Sequence, residues 1–260
     1  MLFRSKLASG LDALVMDVKT GSGAFADTYN MAQELAQSIA DVATGSGVPT
    51  RCLITDMNQV LGRSVGNAVE VLECIDFLVN PAQADKRLLQ ITLDLAAHML
   101  HLSGIEADLN TALVKAQNAL EGGNAAEIFG RMVSALGGPN DLLQEPSHYL
   151  KPMSVIKPII ATKGGYVSAM DVRSIGMSMV SLKAGRIKAS DSIDHGVGLT
   201  NMVQIGERVE MGQPVAYAHV HCDADAIQLQ RELTASITIA DENPQEKNMI
   251  YEVLTAQQEG

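Results

Sequence analysis

Two short apolar runs constrain the fold of this chain more than any other feature. Residues 11–18, LDALVMDV, and residues 51–55, RCLIT, have the length and composition of buried strands. Each run is followed by a short polar loop and then by a helical pattern. Strand–helix–strand–helix order with loops this short predicts parallel neighbouring strands in an open α/β sheet.

Helix signals follow both strands. Asp27 is predicted to cap a helix that ends near Gly45, with an apolar face. Asn67 is predicted to cap the next helix, and Glu70, three residues later, completes a capping box. The predicted apolar face of the first helix consists of Met31, Leu35, Ile39 and Val42.

The remainder of the chain changes character twice. Residues 85–137 carry apolar residues at three- and four-residue spacing, which predicts helices only. After the turn-rich residues 138–152, short strand patterns return, interrupted by two helices that begin at Asp171 and Ala224. The predicted fold class is α/β: a mostly parallel sheet with flanking helices, truncated at its start, followed by a C-terminal α+β subdomain with short strands.

Composition and charge exclude several classes of function. The 47% hydrophobic content is ample for a core, and the net charge of −11 repels nucleic-acid phosphates and anionic lipid surfaces. No apolar run is long enough for a membrane span. The three cysteines are far apart in sequence, which favours mostly buried, inert thiols in a reduced cytoplasmic protein. We therefore expect no nucleic-acid partner and no membrane association.

A glycine-rich segment, Lys19–Phe25, connects the first strand to its helix. Backbone N–H groups in such a loop can bind an anion or a polar ligand, but neither nucleotide-binding glycine pattern is present. A simple tight turn is an equally good interpretation. Phe25, at the end of the loop, either packs in the core or forms one wall of a flat apolar pocket.

A second loop, residues 56–66, follows the second strand at the same predicted edge of the sheet. Its backbone carbonyls, with a carboxylate such as Glu73, are the ligand types that a hard cation prefers. On pattern alone, a structural turn with a solvated glutamate is favoured. Arg186 and the aspartates Asp191 and Asp194 have the spacing of a turn held by an ion pair. Residue types alone assign no reaction to the chain.

Five longer segments together resemble one known family. They are GLDALVMDVKTGSGAF, TDMNQVLGRSVGNAVEVLE, AAEIFGRMVSALGGPND, GYVSAMDVRSIGM and AGRIKASDSIDHGVGL, in this order. They are similar to the bacterial thymidine phosphorylases and to the related pyrimidine nucleoside phosphorylases. The resemblance covers nearly the whole chain from Lys6 onward and corresponds to the C-terminal two-thirds of those enzymes.

The resemblance implies a reaction and a domain organisation. Inorganic phosphate attacks C1′ of a pyrimidine deoxyribonucleoside, which releases the base and a deoxyribose 1-phosphate, with no organic cofactor. Residues 1–10 would be a remnant of the N-terminal helical domain, residues 11–145 a partial central α/β domain, and residues 153–258 the C-terminal α+β subdomain. Family members are homodimers, built through the helical domain of which only that remnant is expected here.

The resemblance also implies site residues. Phe25 matches the apolar residue beside the pyrimidine ring. Lys6 aligns with the second lysine of a Ser-x-x-Ser-Lys-Lys run whose serine and first lysine contact the nucleoside; in this register Met1 and Ser5 occupy those two positions, so neither contact is retained. Leu61, Ser64 and Glu73 match positions that hold a monovalent cation, K⁺, through two backbone carbonyls and one carboxylate.

The start of the chain leads to three expectations. The family's phosphate-binding segment has no counterpart in this sequence, so we expect no measurable phosphorolysis of thymidine by the isolated polypeptide. One alternative is a non-catalytic fragment that assembles with an upstream polypeptide supplying the missing strands. The other is a broader pyrimidine nucleoside phosphorylase that also accepts uridine.

Overall fold

The structure is a computed structural model, and it describes residues 9–257. Within them the chain forms two compact units, and each contains segments that are distant in sequence. The first comprises residues 9–57, 86–122 and 248–257. The second comprises residues 58–85 and 123–247.

The first unit is built on a three-stranded sheet. Strand β1 (Leu14–Thr20) pairs in parallel with β2 (Thr50–Asp56), with Leu14 opposite Thr50. Strand β10 (Ile250–Thr255) pairs with the other edge of β2 in the antiparallel direction. The sheet is therefore mixed, and the predicted mostly parallel sheet is not what this unit shows. The bounds are β1 Leu14–Thr20, α1 Tyr29–Gly45, β2 Thr50–Asp56, α3 Lys86–Leu102, α4 Leu109–Glu121 and β10 Ile250–Thr255.

Helix α1 packs on this sheet through small residues, because alanines allow close approach of helix and strands. Ile39 is the one member of the predicted apolar face that is buried. The other three, Met31, Leu35 and Val42, are 40%, 38% and 52% exposed, so the predicted orientation of the helix was wrong. The core here consists of Val18, Ala26, Ala32, Ala36, Ile39, Ala40, Cys52 and Ile54.

The caps of two helices also differ by one residue from the predictions. Thr28, not Asp27, is the N-cap of α1, and its hydroxyl accepts a hydrogen bond from the Met31 amide. In the second unit, Gly66 rather than Asn67 is the N-cap of helix α2 (Asn67–Val79), and the Gly66 amide donates to the Glu70 carboxylate at 2.8 Å. Glu70 therefore bonds an amide at the start of the helix, but the amide is that of Gly66 and not that of Asn67, with which the capping box was predicted.

The second unit contains a four-stranded sheet in the order β3-β6-β8-β4 and a three-stranded sheet in the order β7-β5-β9. All of their strand pairs are antiparallel. The strands are β3 Val65–Gly66, β4 Val155–Ile160, β5 Gly165–Met170, β6 Gly198–Thr200, β7 Arg208–Val209, β8 Pro214–Val220 and β9 Ile237–Ala240. The helices are α2 Asn67–Val79, α5 Asn124–Ala135, α6 Pro146–Tyr149, α7 Val172–Ser181 and α8 Asp223–Ser236, with a short 3-10 helix at Pro81–Gln83.

Two further expectations can be compared with the structure. Cys52 is buried, whereas Cys74 and Cys222 are exposed, so mostly buried thiols were wrongly predicted. In the described part of the chain no helix is both long and apolar enough to cross a lipid bilayer.

Candidate functional site

The glycine-rich loop is held by backbone hydrogen bonds. Gly21 has φ of +120°, a conformation that favours glycine, and its carbonyl accepts the amide of Ala24. The Gly23 amide donates to the Met57 carbonyl at 3.0 Å, and the Met57 amide donates to the Thr20 carbonyl at 2.7 Å. These bonds tie the loop to the residue that follows β2. The amides of Gly23 and Ala24 are occupied, which favours a tight turn over an anion site at these two positions.

Phe25 lies beside a cavity of about 470 Å³ within the first unit. Its side chain is 82% exposed, which excludes the core-packing alternative. The cavity is lined mainly by apolar residues of β1, the glycine-rich loop and α1, among them Met16, Val18, Ala24, Leu35 and Ile39. An exposed aromatic ring at the mouth of an apolar cavity is suited to stacking against a flat ligand.

Two charged side chains of β1 line the same cavity. Lys19 Nζ lies 2.6 Å from the Asp17 carboxylate, and both groups are about one quarter exposed. The Thr55 hydroxyl donates to the other oxygen of Asp17. Because the ammonium is paired, the cavity carries no net charge from these residues. Reading the sequence did not single out Asp17, although charged residues alternating with apolar ones in a buried strand are a detectable signal.

A second polar cluster lies at the end of β2. Asp56 is 5% exposed, and its carboxylate accepts hydrogen bonds from Arg87 Nη2 at 3.1 Å and from the Tyr251 hydroxyl at 2.8 Å. A buried carboxylate needs such partners, since desolvation of an unpaired charge is costly. The cluster joins β2 to α3 and β10. No sequence pattern predicted it, because its members are far apart in the chain.

The predicted cation loop lies in the second unit. The Glu73 carboxylate accepts the Arg63 amide at 2.6 Å and the Ser64 amide at 3.0 Å. Gly62 has φ of +77°, and a Cβ atom at this position would lie 2.8 Å from a Glu73 oxygen. The Glu73 carboxylate thus contacts the backbone of residues 61–64 directly, and Gly62 leaves the space that it occupies.

Other candidates have structural contacts. The Asp191 carboxylate accepts the amides of Ile187 and Lys188, which holds this turn. Arg186 donates to the backbone carbonyl of Asp191 and not to a carboxylate, so the predicted ion pair was wrong. Among residues 9–257, no group of three or more His, Cys, Asp or Glu side chains could hold a metal ion. Lys6 lies outside the described residues.

Two family models match separate segments of the chain. Residues 2–126 match the family model described as the glycosyl transferase family a/b domain. Residues 166–240 match the model described as the pyrimidine nucleoside phosphorylase C-terminal domain. The two matches occur in the order expected from the resemblance noted in the sequence. The two matches are those of the pyrimidine nucleoside phosphorylase family and are consistent with a C-terminal portion of such a protein.

Proposed function

We propose that this protein acts in the phosphorolysis of pyrimidine deoxyribonucleosides, with thymidine as the preferred substrate. An oxygen of inorganic phosphate forms a bond to C1′ while the bond from C1′ to the pyrimidine nitrogen breaks. The products are thymine and 2-deoxy-α-D-ribose 1-phosphate. The two family matches support a reaction of this class, since both describe enzymes of glycosyl transfer.

The observation that carries the proposal is the exposed ring of Phe25 beside the apolar cavity. A pyrimidine is flat and has two π faces, so an aromatic wall can bind it whatever groups its edge carries. During the reaction negative charge develops on the departing base. A water-excluding wall strengthens every hydrogen bond to that charge. We assign Phe25 the role of positioning the base, and Lys6 remains a proposed substrate contact.

We also propose that the loop bearing Leu61 and Ser64 holds K⁺ together with Glu73. The fit is consistent with the chain: the carboxylate already lies on the loop, and each of its oxygens retains acceptor capacity beyond one amide bond. Backbone carbonyls of Leu61 and Ser64 would complete the protein's contribution. A bound cation would neutralise Glu73 and stiffen the loop.

Binding of the base is the first experiment. Thymine binding to the purified chain is measured by isothermal calorimetry, for the wild type and for Phe25→Ala. Loss of a stacking partner is expected to weaken binding about tenfold. Leu136→Ala is the matched control, since Leu136 is an equally exposed apolar residue at 81% and is not among the residues that line this cavity. Equal affinities of wild type and Phe25→Ala would contradict the proposed role.

Turnover is the second experiment. Thymidine and the purified chain are mixed with and without phosphate, and the ultraviolet change on thymine release is followed. Phosphate-dependent release supports the reaction and overturns the expectation that the isolated polypeptide is inactive. Thymine binding without release supports instead the alternative in which an upstream polypeptide supplies the rest of the site. Uridine in the same assay tests the broader specificity.

A further inference from the structure

A polar cleft of about 350 Å³ lies between helices α7 and α8 of the second unit. The two helices run antiparallel. The Asp171 amide, at the start of α7, donates to the carbonyl of Ser236, the last residue of α8, and Gln228 Nε2 donates to the hydroxyl of Ser181, the last residue of α7. The lining of the cleft consists of four serines, two acidic residues, one methionine and one alanine.

The four serine hydroxyls of the cleft all donate their hydrogen to other groups of the protein. The Ser174 hydroxyl donates to the Asp171 carboxylate at 2.7 Å. Ser178, Ser181 and Ser236 donate to backbone carbonyls about one turn earlier in their own helices, at 2.7–3.0 Å. A hydroxyl has one hydrogen to donate and two lone pairs that accept. These oxygens therefore offer only acceptor positions to anything inside the cleft.

The two carboxylates of the cleft are also acceptors. Glu232 Oε1 accepts from Gln228 Nε2 at 2.9 Å, whereas Glu232 Oε2 is buried and has no hydrogen-bond partner among residues 9–257. Hydrogen bonds from the hydroxyl and the amide of Ser174 lower the pKa of Asp171, and the charge of Arg173 lowers it further. Asp171 is thus ionised at neutral pH.

The unpartnered oxygen of Glu232 indicates that this cleft lacks a donor. Burial of a carboxylate oxygen without a hydrogen bond is costly, and such a group in a folded protein requires an explanation. Among the described residues that line the cleft, none carries a positive charge. Nor does this part of the chain place three or more acidic, histidine or cysteine side chains together for a metal ion.

We infer that the cleft between α7 and α8 binds a small organic ammonium ion, a protonated aliphatic amine, which donates to Glu232 Oε2 and to the serine oxygens. An ammonium group has three donors and no acceptor, which matches a wall of acceptors that carries negative charge. Met177 and Ala235 also line the cleft and provide apolar surface for the alkyl chain. The inference does not depend on the proposed function.

The helix geometry suggests the length of a suitable amine. The backbone bond between Asp171 and Ser236 places these two residues at the same level, and Glu232 is four residues before Ser236 in α8. At 1.5 Å per residue, Asp171 and Glu232 are separated by about 6 Å along the helix axis. The two ammonium groups of 1,4-diaminobutane are separated by a similar distance, so this diamine is the probe.

Isothermal calorimetry at neutral pH and constant ionic strength measures binding of 1,4-diaminobutane to the purified chain. The isosteric 1,4-butanediol has the same length and no charge, and it is not expected to bind. KCl in place of the diamine tests whether a bare inorganic cation gives the same signal. Binding of the diamine alone is expected.

Two variants of the cleft test the position of the ligand. Glu232→Gln keeps the length of the side chain and an acceptor for Gln228, but it removes the charge, so binding is expected to weaken at least about tenfold. Ala235→Leu adds bulk at an exposed position of the cleft, leaves both carboxylates in place, and is also expected to weaken binding about tenfold.

Glu246→Gln is the matched control, since it removes the same charge at an exposed residue that does not line the cleft. Its affinity for the diamine should equal that of the wild type. Circular dichroism shows whether each variant is folded, and Ala235→Leu decides the result if Glu232→Gln is not.

Four outcomes would overturn the inference. The first is no binding of the diamine by the wild type up to about 10 mM, which would leave water as the occupant of the cleft. The second is equal binding of the diol or of K⁺. The third is equal weakening in Glu232→Gln and Glu246→Gln, which would assign the binding to the overall negative charge of the chain. The fourth is unchanged affinity in folded cleft variants.

Discussion

The side-chain amide of Gln230 makes with Ile160 the two hydrogen bonds that a neighbouring strand would make. Gln230 Oε1 accepts the Ile160 amide at 2.8 Å, and Gln230 Nε2 donates to the Ile160 carbonyl at 2.9 Å. Ile160 ends the outer strand β4 of its sheet, so a residue of helix α8 replaces the missing strand at this point. The contact also fixes α8 against the sheet.

Gln230→Met keeps the length of this side chain and removes both bonds, together with the bond from Gln230 Nε2 to the Thr234 hydroxyl within the same helix. Because each bond contributes about 0.5–1.5 kcal/mol net, we expect the free energy of unfolding to fall by about 1–2 kcal/mol. Hydrogen exchange of the Ile160 amide should accelerate in the variant. Gln117→Met is the control, since the Gln117 side chain donates to Glu121 on the same helix, a contact worth about 0.2–0.5 kcal/mol. Unchanged exchange at Ile160 would show that Gln230 does not cover the edge.

His98 and Arg51 form a pair that makes stability depend on pH. Arg51 Nη1 lies 2.8 Å from His98 Nδ1, which must accept the hydrogen bond and therefore be unprotonated. Burial lowers the pKa of His98, and the charges of Arg51 and His101 lower it further. The unfolded chain, with a histidine pKa of about 6.5, binds a proton more readily than the folded chain does. The contribution of His98 is thus present above that value and is lost as pH falls below it.

We expect the free energy of unfolding of the wild type to drop more between about pH 7.5 and pH 5.5 than that of His98→Gln. Glutamine does not titrate, and its carbonyl oxygen can still accept from Arg51. Urea denaturation at the two pH values measures the drop in the free energy of unfolding for the wild type and for His98→Gln. His219 also has a lowered pKa, chiefly through burial, and contributes equally to wild type and variant. Identical pH dependence in the two proteins would remove His98 as a contributor.

The sequence predicted helices and strands well where their own residues carry a periodic or capping pattern. The β-α-β-α order of residues 11–79 was expected from periodicity and capping, as were two later helices. The helices predicted to begin at Asp171 and Ala224 begin at Val172 and Asp223. Strand β10 was not. Its residues, Ile250–Thr255, pair with β2 nearly two hundred positions earlier, and no local pattern encodes such a partner. The same non-local pairing places residues 248–257 in the first unit rather than beside the segment that precedes them.

Helix α1 shows a second reason why a feature of the fold could not be predicted from the sequence. Two apolar stripes run along it, a large one of Met31, Leu35 and Val42 and a small one of alanines. Side-chain size favoured the large stripe as the buried one, whereas the close approach of helix and sheet required the small one. The exposed large stripe was therefore missed, and with it the apolar lining beside Phe25. Phe25 itself was predicted either as a pocket wall or as a core residue. The exposure of its side chain in the structure decides between these two predictions.

Glu73 gives a prediction for the cation loop. Glu73→Gln leaves one oxygen to accept two amides, those of Arg63 and Ser64, so one amide loses its partner. We expect a loss of about 1–2 kcal/mol in the free energy of unfolding. If K⁺ binds at this loop, replacing choline chloride by KCl should raise the Tm of the wild type and not that of the variant.

Glu70→Gln is the control for this experiment. Glu70 bonds the Gly66 amide through one oxygen, which glutamine retains, and it is three residues from Glu73 on the same helix. The Tm of Glu70→Gln should rise in KCl as the Tm of the wild type does. A KCl response that survives in Glu73→Gln would place the cation elsewhere. Equal Tm values in both salts would show that the wild-type loop does not bind K⁺.

The three thiols should differ sharply in reactivity. Cys52 is fully buried in β2, and burial raises its pKa to about 12, so almost none of it is thiolate at neutral pH. Cys74 and Cys222 are exposed. Burial raises the pKa of Cys74, and the carboxylates of Glu73 and Glu70 raise it further. Titration of the native protein with a chromogenic disulfide should therefore label Cys222 first, Cys74 more slowly, and Cys52 only after denaturation.

The Cys74→Ser variant is the control for this order of labelling: it should lose the slow phase of the native protein and keep the fast one. Labelling of Cys52 in the native state at the rate of the exposed thiols would mean that β2 opens readily, which contradicts its central place between β1 and β10.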